Sequence, residues 1–503
     1  MIRGVESTLP LLKIHDKDNV AVVIEAISKD EVLFLGQLSL IAQENMDKGH
    51  KIALTNIKIG ENVIKYGFPI GHAIADIKAG EWIHVHNIKT NLGEILDYEY
   101  HPEVQSKSLA VTGKTFKGFR RPDGQVGVRN EIWIIPTVSC VNRNIQLMAK
   151  YAMEKFQKTP NIDGIYEFTH PYGCSQLGED QLTTQRILAD LVNHPNAGGI
   201  LVVGLGCENN NIAEFVKVLG EYDTDRVKFL VAQEVEDEIE AGLKLIDELV
   251  GYASRNKRDD CPVSQLVVGL KCGGSDGFSG ITGNPLVGAF SDKLIAHGGS
   301  TVLTEVPEMF GAETILMNRA INEEVFGKTV KLINDFKQYF ANYDQPIYEN
   351  PSPGNKKGGI STLEEKSLGC TQKGGISEVV DVLGYAHTVK NKGLNLLSAP
   401  GNDMVAATAL AAAGCQIVLF TTGRGTPLGT AVPTIKVATN SDIFKKKANW
   451  LDFDAGKLLT GQSLEVVTEE FFDYVIRVAS GELTKSEVMG FREIAIFKNG
   501  VTL

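Results

Sequence analysis

Apolar residues in the first ninety positions occur in short runs separated by polar turns. The segments LKIH, VAVVIEAI, EVLFLG and HKIAL alternate or run apolar between these turns, and helical periodicity is weak. Runs of this length predict β-strands. We therefore predict a small β domain at residues 1–95. Residues 96–114 are polar and contain a proline, which indicates an extended linker.

From about residue 115, continuous apolar runs alternate with amphipathic stretches. EIWIIPTV, DGIYEFTH and GGILVVGLG are separated by NIQLMAKYAMEKF and LTTQRILADLVNH, and the pattern returns in QLVVGLK, STVLTEV, GLNLLSA and CQIVLFTT. This alternation predicts α/β regions with mainly parallel sheets covered on both faces. The charged, proline-containing segment YASRNKRDDCP divides them into a central domain, 115–255, and a C-terminal domain, 256–503.

Polar residues cluster directly after the apolar runs, where parallel sheets bind their ligands. Imidazole and thiolate donors at such positions suit Fe²⁺ or Zn²⁺. Glu305 and Glu308 follow a further run, whereas Cys261, Cys370 and Cys415 are predicted to pack in the core. We expect metal ligands among Cys140, Cys174, Cys207, Cys272 and Glu208, with His170 beside them.

Two segments of the β domain carry titratable groups at the start of strands. His15, Asp18 and Asn19 precede one strand, and His50 and Lys51 begin another. Because a histidine titrates near neutral pH, His15 or His50 is the predicted general base. The predicted catalytic residues are His15, His50, Lys51 and His170, whereas His72, His84 and His86 are expected to be structural or at the surface.

Glycine-rich loops supply fixed cations in the second half of the chain. Such loops can hold a carboxylate through backbone N–H groups and a cationic side chain. The predicted substrate-binding residues are Asp18, Asn19, Ser275, Asp276, Lys356, Lys357 and Arg424.

The composition narrows the class of function. The 503 residues carry a net charge of −12, which argues against nucleic-acid and membrane-surface binding and requires local cations for an acidic substrate. The chain has no signal-peptide layout and no apolar run of about 18 residues, so a cytoplasmic location with free thiols is expected. GLGCEN lacks the third glycine of a dinucleotide-binding turn, because Asn209 stands there.

Taken as a set, the motifs resemble the altronate/galactarate dehydratase family over essentially the whole chain. They are HDKDNVA, GHK, GFRRPDGQVGVRNE, HPYGCSQ, GLGCEN, CGGSDGFSGITGNP, TEVPEMFGAE, NPSPGNKKGG, LGCTQKGG and TTGRGTP, and TNLGEILDYEY and LGCTQK are similar to the altronate branch. The resemblance implies an N-terminal SAF (β-clip) domain, two α/β regions, a requirement for a divalent metal with Fe²⁺ ahead of Mn²⁺, and conversion of D-altronate to 2-dehydro-3-deoxy-D-gluconate. A homo-oligomer, as a dimer, is also expected.

Dehydration of a sugar acid removes the C2 proton and expels the C3 hydroxyl through an enediolate. A divalent metal would stabilise its charge, Arg424 and Lys356 would hold the anionic end, and the β domain would close over the site. Alternatives stay open: a galactarate substrate, an iron–sulfur cluster on three of the cysteines, a C–S lyase acting on a sulfonated acid, or a non-catalytic carbohydrate-binding protein. The cysteine spacing matches no standard cluster motif.

Overall fold

The N-terminal region of the computed structural model is built from short antiparallel strands. Residues 10–93, 95–103, 113–156 and 158–503 are described. The nine strands are β1 (Leu11–Leu12), β2 (Val20–Val23), β3 (Val32–Leu35), β4 (Leu38–Ile41), β5 (Lys51–Ala53), β6 (Asn62–Lys65), β7 (Phe68–Ala73), β8 (Trp82–Ile83) and β9 (Ile88–Lys89). They form the sheets β1-β2-β5-β8, β3-β4 and β6-β7-β9, which confirms the small β region.

The second region contains a four-stranded parallel sheet with helices on both faces. Its elements are β10 (Thr115–Arg120), β11 (Val126–Gly127), β12 (Glu131–Pro136), α1 (Asn142–Phe156), β13 (Gly164–Glu167), α2 (Gly178–Val192), β14 (Ala197–Gly204), α3 (Ile212–Leu219), β15 (Val227–Val231) and α4 (Glu238–Ala253). The sheet order is β13-β12-β14-β15. Every residue of β12 and β14 is buried, which explains why these strands are continuous apolar runs.

The third region begins with β16 (Asp259–Pro262), which pairs with β10 of the second region. One sheet therefore contains strands from both sides of the predicted boundary near residue 255. The predicted domain limits stay predictions. The remaining elements are β17 (Val267–Cys272), α5 (Gly283–Ala296), β18 (Ser300–Leu303), α6 (Glu313–Met317), α7 (Glu323–Asn342), α8 (Pro353–Lys357), α9 (Leu363–Cys370), β19 (Val379–Leu383), β20 (Leu394–Leu397), α10 (Asp403–Ala412), β21 (Ile417–Thr422), β22 (Thr434–Ala438), α11 (Ser441–Lys446), β23 (Phe453–Asp454), α12 (Leu464–Ala479) and α13 (Lys485–Val488).

The seven-stranded parallel sheet of the third region has its topological switch at β17. The order is β19-β20-β18-β17-β21-β22-β23, so the chain leaving β17 first builds strands on one side and later those on the other. Parallel sheets bind ligands in the crevice at such a switch point. The loops after β17, β18 and β21 therefore surround the best-placed binding crevice of this sheet.

Helix α9 of the third region is the helix on which the N-terminal β region packs. All eight of its residues are buried, although three of them carry charge. The β region packs on this helix, because Leu368 shares a hydrophobic core with Val63, Ile70 and Ile83. Buried charges need partners, so the charged side chains of α9 mark a built polar centre. Within the described residues, no helix is long and apolar enough to cross a membrane.

Candidate active site

Two thiols and a carboxylate meet at the carboxyl end of the seven-stranded sheet. The Glu308 carboxylate lies 3.1 Å from the sulfur of Cys272 and 3.2 Å from that of Cys370, and the two sulfurs are 3.3 Å apart. All three side chains are buried. Cys272 ends β17, Glu308 lies in the short 3₁₀ helix at Val306–Met309, and Cys370 ends α9. Among the described residues this is the one set of three or more His, Cys, Asp or Glu side chains whose ligand atoms all lie within 4.8 Å of one another.

Three buried lysines surround this thiol-carboxylate centre. Lys373 Nζ donates to the sulfur of Cys272 at 2.9 Å, and Lys366 Nζ donates to Glu308 at 2.7 Å. Lys271 Nζ donates to the carbonyl oxygen of Cys272 at 3.0 Å. Burial alone would raise the pKa of Glu308, but Lys366 and Lys373 hold it well below its ordinary value. The glutamate is therefore an anion within a ring of cations.

Glu305 and Asp403 complete the charge balance. Glu305 accepts from Lys271 at 2.7 Å, from Lys373 at 3.2 Å and from the Cys272 backbone N–H at 2.9 Å, and Asp403 accepts from Lys271 at 2.7 Å. The φ angle of Glu305 is 69°, a left-handed conformation that is costly for a residue with a side chain. The surrounding ion pairs hold this strained residue in place and aim its carboxylate at two lysines.

The pKa values of the ionised groups follow from these contacts. Burial would lower the pKa of Lys373, but the neighbouring thiols and Glu305 raise it well above its ordinary value. The hydrogen bond with Cys272, followed by burial, raises the pKa of the Cys370 thiol. Lys373 is therefore a permanent cation near neutral pH, and Cys370 keeps its proton unless another cation approaches.

A cleft of about 490 Å³ leads to this centre from solvent. Asp403, whose side chain is 40 % exposed, stands at its mouth, and Glu308 and Lys366 lie at its inner end. Lys366 uses two of its three N–H groups on Glu308 and Asn350, which leaves one donor for a ligand. The other lining residues are Gly273, Gly274, Glu349, Pro351, Ser352, Pro353, Asn355, Lys356 and Gly401.

The β region reaches the same helix through a second buried ion cluster. Lys51 and Lys65 each donate to Glu365 at 2.8 Å, and Lys51 also donates to Ser361 at 2.9 Å. Burial alone would raise the pKa of Glu365, but the two lysines lower it to about 2. Burial lowers the pKa of Lys51 to about 8, although Glu365 opposes the shift. All N–H groups of Lys51 are used, since Gly359 accepts the third, so Lys51 joins two regions and is not an open base.

The predicted base His50 lies in a separate groove of the β region. Trp82 Nε1 donates to His50 Nδ1 at 3.0 Å, and Trp82 stacks on His84. Burial, followed by Lys51, lowers the pKa of both histidines, that of His84 to about 4. The groove is also lined by Lys357, but His50 does not line the cleft above Glu308. His84 was expected to be structural or at the surface. It is buried, and its Nδ1 lies 3.0 Å from the Ser361 hydroxyl oxygen.

The other candidates from the N-terminal region bind its own backbone. Asp18 accepts from the N–H groups of His15 and Gly67 at 3.0 and 2.7 Å. Asn19 donates to the carbonyl oxygen of Asn62 and accepts from the N–H of Ile64. His15 itself is exposed in the turn. Asp18 and Asn19 were expected to bind substrate, but their polar groups shape the β region, as such residues commonly do in turns.

A wider cleft between the β region and the third region holds several predicted substrate residues. Arg424, Lys357 and Asp276 line it together with Lys48. The Asp276 carboxylate is engaged by the Thr439 hydroxyl at 2.9 Å and by other donors, and burial raises its pKa. Ser275 is buried and its hydroxyl oxygen has no partner among the described protein atoms. Lys356 is separated from these residues, since it lines the cleft that leads to Glu308.

The five predicted metal ligands do not come together. Cys272 lies in the centre described above, whereas Cys140, Cys174 and Cys207 are exposed and follow strands of the other parallel sheet. Glu208 is buried and accepts hydrogen bonds from the Thr137 hydroxyl and from the backbone N–H groups of Leu205 and Gly206. It therefore holds the loop after β14 in place. The two sheets have separate carboxyl edges, which explains why thiols predicted to share one site lie in two places.

His170 is also a bracing residue. Its ring lies 2.8 Å from the carbonyl oxygen of Pro136 through Nε2, and the other ring nitrogen accepts from the Tyr172 N–H. Burial lowers its pKa to about 4. Because both ring nitrogens are engaged in the interior, His170 does not face a substrate, contrary to the catalytic role predicted for it.

Sequence reasoning missed Cys370 and the lysines around it. Cys370 was predicted to pack in the core, and it is buried, but it contacts Cys272 and Glu308. A usable signal exists in KSLGCTQKGG: Lys366, Cys370 and Lys373 are spaced by four and three residues, which places them on one helical face.

Comparison with known families assigns the three regions in chain order. Residues 9–91 match the altronate/galactarate dehydratase SAF domain, residues 118–254 match the second domain of D-galactarate dehydratase/altronate hydrolase, and residues 263–502 match the C-terminal domain of D-galactarate/altronate dehydratase. The contacts of Glu365 described above thus join an SAF domain to the C-terminal domain.

Full-length relatives agree with this assignment. The chain is 58 % identical to the altronate dehydratase of Bacillus subtilis (strain 168) and 52 % identical to that of Escherichia coli (strain K12), in each case over 98 % of this chain and 99 % of the relative. It is 34 % identical to the L-threo-forming galactarate dehydratase of Escherichia coli over 99 % of this chain and 98 % of that protein. This chain belongs to the altronate/galactarate dehydratase family.

Proposed function

We propose that this chain dehydrates D-altronate to 2-dehydro-3-deoxy-D-gluconate at the centre formed by Cys272, Glu308 and Cys370. As a member of its family it is a hydro-lyase acting on a sugar acid. The observation that carries the choice of altronate is the difference in similarity: 58 % and 52 % identity to two altronate dehydratases against 34 % to a galactarate dehydratase.

The chemistry demands concentrated positive charge beside an acidic substrate. Removal of the C2 proton places negative charge on C1 and C2, and departure of the C3 hydroxyl needs a proton or a cation. In a site shielded from water, preorganised cations stabilise such charge more strongly than water does. The cleft above Glu308 offers Lys366 at its inner end and Lys356 on its wall, but Glu308, Glu349 and Asp403 line it too, so a bound divalent cation would have to supply the excess positive charge.

The donor set fits a divalent metal such as Fe²⁺ or Mn²⁺. Three ammonium groups (Lys271, Lys366 and Lys373) face three carboxylates (Glu305, Glu308 and Asp403), so the centre is neutral while both thiols keep their protons. Loss of both thiol protons leaves two negative charges, which a divalent cation balances. Cys272, Cys370 and Glu308 would hold this ion, and the two sulfurs favour iron over manganese. When bound, the metal supplies Lewis acidity toward the C1 carboxylate and the C2 oxygen.

The chain's own residues position the substrate and move its proton. The free N–H of Lys366 would bind the C1 carboxylate, because it lies beside Glu308 at the inner end of the cleft. Asp403 would accept the C2 proton, since its carboxylate is half-exposed at the cleft and Lys271 holds it in one orientation. Gly273 leaves room for this carboxylate, since a side chain there would meet Asp403 Oδ1 at 2.6 Å. The places of Lys366 and Asp403 on the cleft wall support this assignment.

The first experiment is a substrate panel under anaerobic conditions. Hexonates and hexarates are supplied with Fe²⁺, Mn²⁺ or Mg²⁺, and 2-keto-3-deoxy acid formation is measured. The expected result is the highest kcat/KM for D-altronate with Fe²⁺. A higher value for galactarate would contradict the altronate assignment, and release of sulfite from a sulfonated acid without keto-acid formation from any hexonate would replace it with C–S lyase chemistry.

Variants then separate the two possible bases. D403N is expected to lower kcat by at least about 100-fold, in the range that general base catalysis contributes, with a smaller change in KM. H15A and H50A test the prediction that the β region supplies the base. Retained turnover in both removes them from that role, whereas loss of turnover in H50A with retained turnover in D403N would reverse the assignment.

The cytoplasmic location and the homodimeric state remain predictions. Light scattering coupled to size-exclusion chromatography determines the mass of the particle in solution.

A further inference from the structure

We infer that Cys140, Cys174 and Cys207 form a second metal site, which binds an iron–sulfur cluster at the edge of the four-stranded sheet. The inference goes beyond the dehydratase reaction and does not depend on which sugar acid is the substrate. It concerns the three exposed cysteines, since the other four are buried.

The three thiols follow three adjacent strands of one parallel sheet. Cys140 lies in the 3₁₀ turn after β12, Cys174 in the loop after β13 and Cys207 in the loop after β14. The strand order β13-β12-β14 places the Cys140 loop between the other two. All three strands run in the same direction, so their carboxyl ends lie on the same edge of the sheet.

Contacts beside each cysteine bring the loops together. The N–H of Ser139 donates to the carbonyl oxygen of Tyr172 at 2.9 Å, which joins the Cys140 and Cys174 loops. The side chain of Asn209, two residues after Cys207, lies 3.5 Å from the sulfur of Cys174. Each thiol loop therefore touches a neighbour within two residues of its cysteine.

Buried polar residues brace this edge from beneath. Glu208 accepts from Thr137 at 2.6 Å, and Asn210 donates to the carbonyl oxygens of Thr137 at 3.0 Å and Gly173 at 3.1 Å. A side chain at Gly173 would meet the Thr137 carbonyl oxygen at 2.0 Å, and its φ of 101° is in the region that favours glycine. The loops are thus held rigidly in a close arrangement that exposes their thiols, as a metal site requires.

Unpartnered polar atoms in the loops that carry the thiols are a second indication of a ligand. Gln176, two residues after Cys174, is 2 % exposed, and neither its oxygen nor its nitrogen has a hydrogen-bond partner among the described protein atoms. The side-chain oxygen of Asn210 is buried and without such a partner as well. Buried polar groups are rarely left unpaired in folded proteins. A bound group with its ordered water would supply the missing partners.

The spacing of the sulfurs selects the class of ligand. A single ion about 2.3 Å from each thiolate needs sulfurs within about 4.6 Å of one another. Cys140, Cys174 and Cys207 do not form a group whose sulfurs all lie within 4.8 Å. Neighbouring strands are about 4.8 Å apart, so thiols on three strand ends span a wider ring. An iron–sulfur cluster tolerates a wider separation than a single ion, because different irons bind different thiolates, and three thiolates would leave one iron of a four-iron cluster without a cysteine.

The test uses the full chain, purified without oxygen and reconstituted with sulfide and equal amounts of Fe²⁺ and Fe³⁺, which supply the two ferrous and two ferric ions of a 4Fe–4S cluster in its 2+ state. The expected result is visible charge-transfer absorbance together with about four iron and four labile sulfide ions per chain, after correction for iron in a sulfide-free control. Iodoacetamide labelling followed by peptide mapping should show Cys140, Cys174 and Cys207 at least tenfold less reactive in the reconstituted protein than in the metal-free protein. This second measurement requires no variant to fold.

Serine variants locate the cluster. C140S, C174S and C207S should each lose most of the labile sulfide while keeping the wild-type circular dichroism. C272S, altered at the proposed catalytic centre, should keep the sulfide and lose turnover, so that failure of either proposal is recognised separately. Binding of iron without sulfide, equal labelling of the three thiols before and after reconstitution, or full sulfide in all three ring variants would overturn the inference.

Discussion

The sulfur atoms of Cys272 and Cys370 lie 3.3 Å apart, although the two residues are 98 positions apart in the chain. A disulfide bond requires about 2.05 Å, so a small local movement suffices to join them. We expect diamide to lower turnover at least about tenfold and dithiothreitol to restore the turnover. The peptides that contain these cysteines should together lose the mass of two hydrogen atoms when diamide oxidises them.

The C370S variant is the matched control for this oxidation. It should show no diamide-dependent link to Cys272, and bound Fe²⁺ should slow the reaction in the wild type. If diamide links only the exposed cysteines while turnover falls, the pair is not the oxidation-sensitive element.

Lys373 should control the affinity of the centre for metal. Its ammonium group lies 2.9 Å from the sulfur of Cys272 and also contacts Glu305, so it stabilises the thiolate that a metal requires. In K373M the metal Kd is expected to rise at least tenfold, and kcat should fall by a larger factor than KM changes. Calorimetric titration with Fe²⁺ or Mn²⁺ measures the first effect, and K331M, at an exposed lysine, should leave it unchanged.

Glu365 should determine how firmly the β region is attached. E365Q leaves Lys51 and Lys65 buried without a carboxylate, and removal of one partner of a buried ion pair costs about 3–5 kcal/mol. We expect this loss in the free energy of unfolding from urea titration, with faster amide hydrogen exchange across residues 10–93. D76N, which removes the exposed partner of Lys58, is the control and should leave both measurements near the wild-type values.

His170 should contribute to instability in mild acid. Its pKa is about 4 in the folded chain, against an ordinary value of about 6.5, so the unfolded state binds more protons between these values. Stability is therefore complete above pH 6.5 and falls as the pH drops to 4, by about 3 kcal/mol for this residue.

The H170Q variant tests that acid slope, because a glutamine amide can still donate to the Pro136 carbonyl but does not titrate in this range. The stability of H170Q should depend less on pH between 6.5 and 4, while the exposed H101Q variant keeps the wild-type slope. Part of the slope should survive in H170Q, because burial also lowers the pKa of His194, to about 3. An unchanged slope in H170Q would show that His170 is not responsible.

The sequence predicted the parts of the fold that depend on local pattern. Continuous apolar runs such as EIWIIPTV became the buried parallel strand β12, and the polar residues after β17 and β18 led to Cys272 and Glu308. The sequence did not predict Cys370 as a site residue, because Cys370 reaches the site from a buried helix. The rule that ligands bind at the carboxyl ends of parallel strands says nothing about such a residue. The predicted ligand-binding roles of Asp18 and Glu208 have another difficulty. Both carboxylates accept backbone N–H groups, and a carboxylate with that role cannot be told from one that binds a ligand in the sequence.

Helix α9 carries two neighbouring charges that face different regions: Glu365 binds the SAF domain, and Lys366 binds Glu308. Glu364 also accepts from Thr90 and Asn91 at the end of the SAF domain. A fragment that begins after the linker would therefore carry the unpaired interior carboxylates of Glu364 and Glu365 directly before Lys366 of the proposed catalytic centre. The SAF domain therefore supplies partners to charges in the interior of the C-terminal domain. We expect the C-terminal domain expressed alone to be inactive.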